Sequence, residues 1–241
     1  MIPGSDIGAE SVRARRGRAV PYVLCCLILL GPGTLRAQHG GVAATLHNLS
    51  VSGPGEVRAV SETEICKFCH IPHSAVVPTP LWSQKLSRAR YQIPRVRDEG
   101  GRRASGHQPD GASRLCLSCH DGTVALGDIG GEPRPIALAG AQRLRPGRRG
   151  FLGTDLSGSH PISFVVSETA RDVADGQRDI GTAPLAAMNR EQGVRLDKHG
   201  KMQCTTCHDP HSDRYYQEGR VPRFWVRPTE EEVCLSCHEL R

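Results

Sequence analysis

The apolar run of this 241-residue chain extends from Ala19 to Leu30, behind a basic stretch that holds Arg13, Arg15, Arg16 and Arg18. Leu35-Arg36-Ala37 follows and ends in a small residue where a signal peptidase could cut. Basic, apolar and small residues in that order predict a secretory signal over residues 1–37. A run of about a dozen apolar residues is short for a bilayer span. The expected mature chain therefore starts near Gln38 and has no stable transmembrane anchor. Cys25 and Cys26 leave with the signal; a lipid anchor there is disfavoured because Tyr22-Val23-Leu24 offers no small residues ahead of the thiol. The flanks of Arg15-Arg16 do not support a twin-arginine route.

Past the leader, helix-start signals stand at two places. Ser61-x-x-Glu64 precedes Ile65-Cys66, and Thr229-x-x-Glu232 precedes Val233-Cys234; both fit a capping box that opens a short helix. Asp110 or Ser113 could cap a third helix. Gly200-Lys201-Met202-Gln203 offers no cap to a fourth, which is expected to be less regular. Little sheet is expected. No strand-to-helix pattern frames Gly127, Gly130 and Gly131, so they do not form a nucleotide loop.

Apolar residues make up 38% of the chain and aromatics 4%, while glycine and proline together number 44. Such a chain has a thin core of its own. The cysteines suggest what fills it. Cys-x-x-Cys-His occurs four times, as Cys66/Cys69/His70, Cys116/Cys119/His120, Cys204/Cys207/His208 and Cys234/Cys237/His238. Two thiols at this spacing can each form a thioether to one haem vinyl group, and the adjacent histidine then lies under the iron. Zinc knuckles also use Cys-x-x-Cys pairs, but zinc needs no histidine after every pair. A redox dithiol would want one motif in a thioredoxin-like setting, and a disulfide framework would be indifferent to the repeated spacing. The preferred reading is four covalently bound c-type haems, and each macrocycle is a large apolar body over which loops can be draped. The expected fold class is an irregular, loop-rich multihaem cytochrome c with short α-helices at the attachment motifs and a core of stacked haems.

Haem also changes the charge. Residues 38–241 carry 26 basic and 23 acidic side chains, a net charge near +3. Counting porphyrin, iron and propionates, four haems move this to roughly −1 oxidised and −5 reduced. The sequence pI of 8.9 is thus misleading, and nucleic-acid binding has little support.

The first cysteines of successive motifs are 50, 88 and 30 residues apart. This divides the mature chain into a first- and second-haem region (38–126), a connecting segment rich in Gly, Pro and Arg (127–195), and a doubled module with the third and fourth haems (196–241). Arg143, Arg145, Arg148 and Arg149 in the connecting segment read as a solvated loop before they read as propionate partners or a docking patch.

Seven histidines lie outside the motifs and the leader: His39, His47, His73, His107, His160, His199 and His211. Met188 and Met202 are the mature methionines, too few to complete four irons. Histidine is therefore the expected sixth ligand, which favours low reduction potentials. His73 and His211 lead, because His70-Ile71-Pro72-His73 and His208-Asp209-Pro210-His211 repeat one offset. Three residues past a proximal histidine, with a proline between, the side chain cannot cross its own haem plane and reaches a neighbouring haem instead. His47 and His160 come next on the residues alone, with a surface role equally compatible. His39, His107 and His199 read as solvent-exposed or as donors to a ligand.

The string Cys204-Thr205-Thr206-Cys207-His208-Asp209-Pro210-His211, followed by Val233-Cys234-Leu235-Ser236-Cys237-His238, resembles the doubled Cys-x-x-Cys-His module of multihaem cytochromes. The stretches His47-Asn48-Leu49-Ser50, Ile65 to His73, Pro80-Leu81-Trp82 and Leu117 to Ala125 resemble exported cytochromes of metal-reducing bacteria. The resemblance implies bis-histidine haems with His47, His73, His160 and His211 distal, and Trp82 and Trp225 on haem faces or in plain core packing. Some proteins of that broad group polymerise into haem filaments, so a homopolymer is one option.

The leading expectation is a periplasmic or extracellular electron carrier whose partners are redox proteins, other multihaem cytochromes among them. The rivals are a multihaem reductase of a small oxyanion such as nitrite, and a structural subunit of a filament or conduit. An enzyme needs an iron with an open distal position. Four regular motifs and seven spare histidines speak for closed irons.

Overall fold

A computed structural model describes residues 41–94, 96–97, 103–104, 108–166 and 194–237. The predicted leader, His39, His107, His238 and residues 167–193 of the connecting segment lie outside them. Most of the described chain is turn and irregular loop, as the glycine and proline content requires. Helix α1 spans Gly111–His120, α2 spans Cys204–Cys207 and α3 spans Glu230–Leu235; a 3-10 turn covers Ile65–Phe68. Each of these four carries the first cysteine of one motif. Strands are two residues long: β1 (Arg58–Ala59) pairs antiparallel with β4 (Leu138–Ala139), with Ala59 opposite Leu138, and β2 (Val96–Arg97) pairs antiparallel with β3 (Arg103–Ala104). The expected fold class holds: irregular and loop-rich, with few short helices and very little sheet.

The helix starts are only partly those expected. At the fourth motif Thr229 Oγ1 accepts from Glu232 N at 3.1 Å, and Glu230, Glu231 and Glu232 fill the first turn, where carboxylates are favoured by the helix dipole. At the first motif the Ser61/Glu64 box does not form. Glu62 instead accepts from Glu64 N at 2.9 Å and from Lys67 Nζ at 2.9 Å, and the motif opens as a 3-10 turn. Asp110 occupies the N-cap position of α1, but its carboxylate bonds Gln203 and Lys201 rather than the helix. The third motif, expected to lack a cap, finds one inside itself: Gln203 N donates to Thr206 Oγ1 at 3.0 Å.

Three small apolar clusters replace a single core. Ala59, Phe68, Leu126 and Leu138 pack with Cys119 beside the first two motifs. Tyr91, Leu117 and Leu156 form the second, built on the helix of the second motif. Val194, Val226, Val233 and Cys237 form the third, against Cys207 and Trp225 of the doubled module. Every cluster therefore touches an attachment motif. Buried amides brace the loops between them: Gln84 Nε2 donates to Phe68 O at 3.1 Å and to Leu126 O at 2.6 Å.

Candidate haem site

The eight cysteines of the motifs are free thiols, and they lie next to one another from motif to motif. A hydrogen bond between the two sulfurs of Cys116 and Cys204 raises the Cys116 thiol and holds Cys204 down. Burial, with Cys69 as the second cause, pushes Cys119 up to about 12; burial, with Cys237 and Cys234, does the same for Cys207. Thus the first motif neighbours the second, the second the third, and the third the fourth. The raised thiols are protonated and poorly nucleophilic; Cys204 is the exception, held down to about 7. Among the described residues no three His, Cys, Asp or Glu side chains converge on a single metal-sized point.

A buried polar clamp fixes the second motif against the third. Gln203 Oε1 accepts from Ser113 Oγ at 2.6 Å and Ser113 N at 3.2 Å, while its Nε2 donates to Asp110 at 3.1 Å and Asp197 at 3.0 Å. Ser113 Oγ in turn accepts from Cys204 N at 3.0 Å. Gly111, at φ 49°, admits this approach, because a Cβ there would lie 2.7 Å from Gln203 Nε2. Sequence reasoning missed Gln203. Its signal, an amide just before a motif, is ordinary until the fold brings Ser113 to it.

The three described motif histidines share one feature. His70 Nδ1 lies 2.7 Å from Pro80 O, His120 Nδ1 2.7 Å from Gly150 O, and His208 Nδ1 3.3 Å from Arg223 O. A carbonyl can only accept, so Nδ1 is the donor and Nε2 is the nitrogen left to face a metal. Gly150 has φ 83°, and a Cβ there would stand 3.3 Å from the His120 ring. The return loops of the sequence thus serve as ring holders. His238 lies outside the described residues.

Two of the four predicted distal histidines stand opposite motif histidines. His47 lies with its ring centroid 5.9 Å from that of His120, at 72°, and His211 lies 6.0 Å from His70, at 17°. His47 sits in a turn organised by buried Asn48, which donates to Ala43 O at 2.9 Å and accepts from Ser50 N at 3.1 Å and Ser50 Oγ at 2.7 Å. Its ring stacks on Phe224 at 4.5 Å, and burial, with His120 second, lowers it to about 4. It is neutral near pH 7 and able to ligate. Phe224 adopts φ 63°, a strained backbone held by Asp213 Oδ1 at 2.8 Å from its N–H. His211 is oriented by Asp209, whose Oδ1 accepts from His211 N at 3.0 Å and stands 3.4 Å from Nδ1.

His73 and His160 are exposed. His73 touches none of the described proximal rings, and His160 Nδ1 rests 2.8 Å from Pro161 O. Trp225 stacks on the His208 ring at 4.9 Å, and Trp82 meets His70 edge-on at 6.0 Å while donating to Ser118 Oγ at 3.3 Å. In the connecting segment Arg143 bonds Thr123 O and Arg148 pairs with Glu56, both at the exposed surface.

The donor set fits haem on a second count. The buried indole Nε1 of Trp225, whose ring stacks on His208, and the buried Nε of Arg223 have no acceptor among the described residues. Carboxylates carried in with a cofactor, as haem propionates are, would satisfy such donors. Residues 198–240, which hold the third and fourth motifs, match the doubled CXXCH motif family, a match consistent with a multihaem c-type cytochrome carrying covalent haem. No curated protein matches the chain. Among the described residues no helix is long and apolar enough to cross a membrane.

Proposed function

We propose that this chain is an exported tetrahaem c-type cytochrome that carries electrons through closely packed bis-histidine haems in the periplasm or at the cell surface. The observation that supports it most is the repeated ring geometry: at each described motif a pair of free thiols adjoins an imidazole whose Nδ1 is held by a distant carbonyl. Cys66/Cys69, Cys116/Cys119, Cys204/Cys207 and Cys234/Cys237 are the covalent attachment points, and His70, His120, His208 and His238 the proximal ligands. His47 and His211 are distal ligands; His73 and His160 are the candidates for the other two irons.

When bound, haem supplies one-electron redox chemistry. The chain's part is to hold the imidazoles aligned and successive motifs in contact. The thiol neighbours, first to second, second to third and third to fourth, support a conducting row with no substrate chemistry of its own. Its partners are redox proteins, other multihaem cytochromes included.

The ferric spectrum separates carriage from reduction of a small oxyanion. A carrier is expected to be low-spin at every haem and to bind neither cyanide nor, when reduced, carbon monoxide. One haem that is high-spin as purified and takes up these ligands would favour the reductase.

A further inference from the structure

We infer that His70 and His211 bind the two faces of one haem iron, and His120 and His47 the two faces of another, so that each iron joins segments far apart in the chain. The inference rests on the haem reading above and adds to it which histidine closes which site.

Distance carries the argument. Two imidazoles bound on opposite sides of one metal, each nitrogen at about 2.0 Å, put their ring centroids roughly 6.3 Å apart. The observed separations are 5.9 Å for His47 and His120 and 6.0 Å for His70 and His211. The closer stacks, 4.5 Å for His47 on Phe224 and 4.9 Å for His208 on Trp225, leave no room for a metal. Although His70 and Trp82 also stand 6.0 Å apart, among the described residues only the two histidine pairs at this separation offer a nitrogen ligand from each ring. Rotation about the axis through the iron leaves the interplanar angle free, so both 72° and 17° fit.

The surroundings agree with the distances. His70 and His120 have Nδ1 on carbonyls and His211 has Nδ1 beside the Asp209 carboxylate, the kind of outer contact that orients a metal-bound imidazole. The His47 ring is fixed instead by stacking on Phe224 and by the adjoining Asn48 turn. The first haem is thus attached at Cys66 and Cys69 but closed by a residue that follows the third motif. The second is attached at Cys116 and Cys119 and closed from the turn before the first motif.

Pairwise deletion in the full secreted chain tests this, with intact mass counting haems and ferric EPR reporting spin state. His211→Ala is expected to retain all haems and convert one low-spin signal to high-spin; an unchanged low-spin spectrum overturns the pair. In a Cys66→Ala/Cys69→Ala background, which lacks the first haem, His211→Ala is expected to add no high-spin signal. A new high-spin haem there overturns the assignment. His47→Ala, with and without Cys116→Ala/Cys119→Ala, is read in the same way. Should a haem-deleted chain fail to accumulate, His211→Met in the intact chain places a shifted ligand methyl resonance on one haem. An NOE to the haem held by Cys66 and Cys69 supports the pair, and an NOE to any other haem overturns it. A wild-type chain without haem would sink the proposed function itself, whereas four low-spin haems with the wrong deletion pattern would sink only the pairing.

Discussion

The first and third motifs share a sequence, Cys-x-x-Cys-His-x-Pro-His, and are anchored by opposite chemistry. Around the first, two of the three variable positions are apolar and buried, Phe68 at 1% exposure within a core cluster and Ile71, while Lys67 pairs with Glu62 and Glu132. Around the third they are polar: Gln203 is the centre of the clamp, Thr206 caps the helix and Asp209 orients His211. The last histidine of each then goes a different way. Both side chains are exposed, but His211, with an aspartate beside it, stands opposite the His70 ring, while His73, with isoleucine at the matching position, has no ring partner among the described residues. Spacing sets how far a side chain can reach; the residues between decide where it is held.

Three substitutions put that contrast under strain. Phe68→Ala removes the largest buried side chain of the apolar anchor and is expected to cost about 3–5 kcal/mol. Guanidinium unfolding should show it, with hydrogen exchange loosening around residues 65–70 and sparing 204–208. Loosening at both places would break the comparison. Gln203→Leu keeps the volume but strands Ser113 and Asp110, at an expected cost of about 2–3 kcal/mol. Because Gln203 joins two motifs, exchange should rise together at residues 111–113 and 204–206; a rise confined to one side would mean that the clamp does not couple them. Asp209→Ile gives the third motif the residue of the first. With the carboxylate gone, the sixth ligand is expected to weaken about 10- to 100-fold, seen as carbon monoxide binding by a fraction of one reduced haem. No uptake would show that Asp209 does not orient His211.

The Cys-x-x-Cys-His motifs, the third and fourth of which the family match covers, were legible in the sequence because their spacing is local. So was the poverty of sheet and core, which follows from composition, and the Thr229 cap, whose partner is three residues away. The Ser61 cap failed because Glu62, one residue on, reaches both Glu64 N and Lys67. Local rules rank such competitors poorly. The clamp and the ring holders were invisible for another reason. Ser113 and Gln203, or His120 and Gly150, meet only after the loops close, and a backbone carbonyl carries no residue signature. The difference between His73 and His211 was written in Ile71 and Asp209, but repetition of the offset suggested equivalence.

The most direct test of the central claim is the intact mass of the secreted, mature protein beside that of its apo chain. The account predicts a chain beginning near Gln38 that carries four covalently attached haems, one for each Cys-x-x-Cys-His. A mass equal to the bare chain, or one that accounts for fewer haems than motifs, would contradict it.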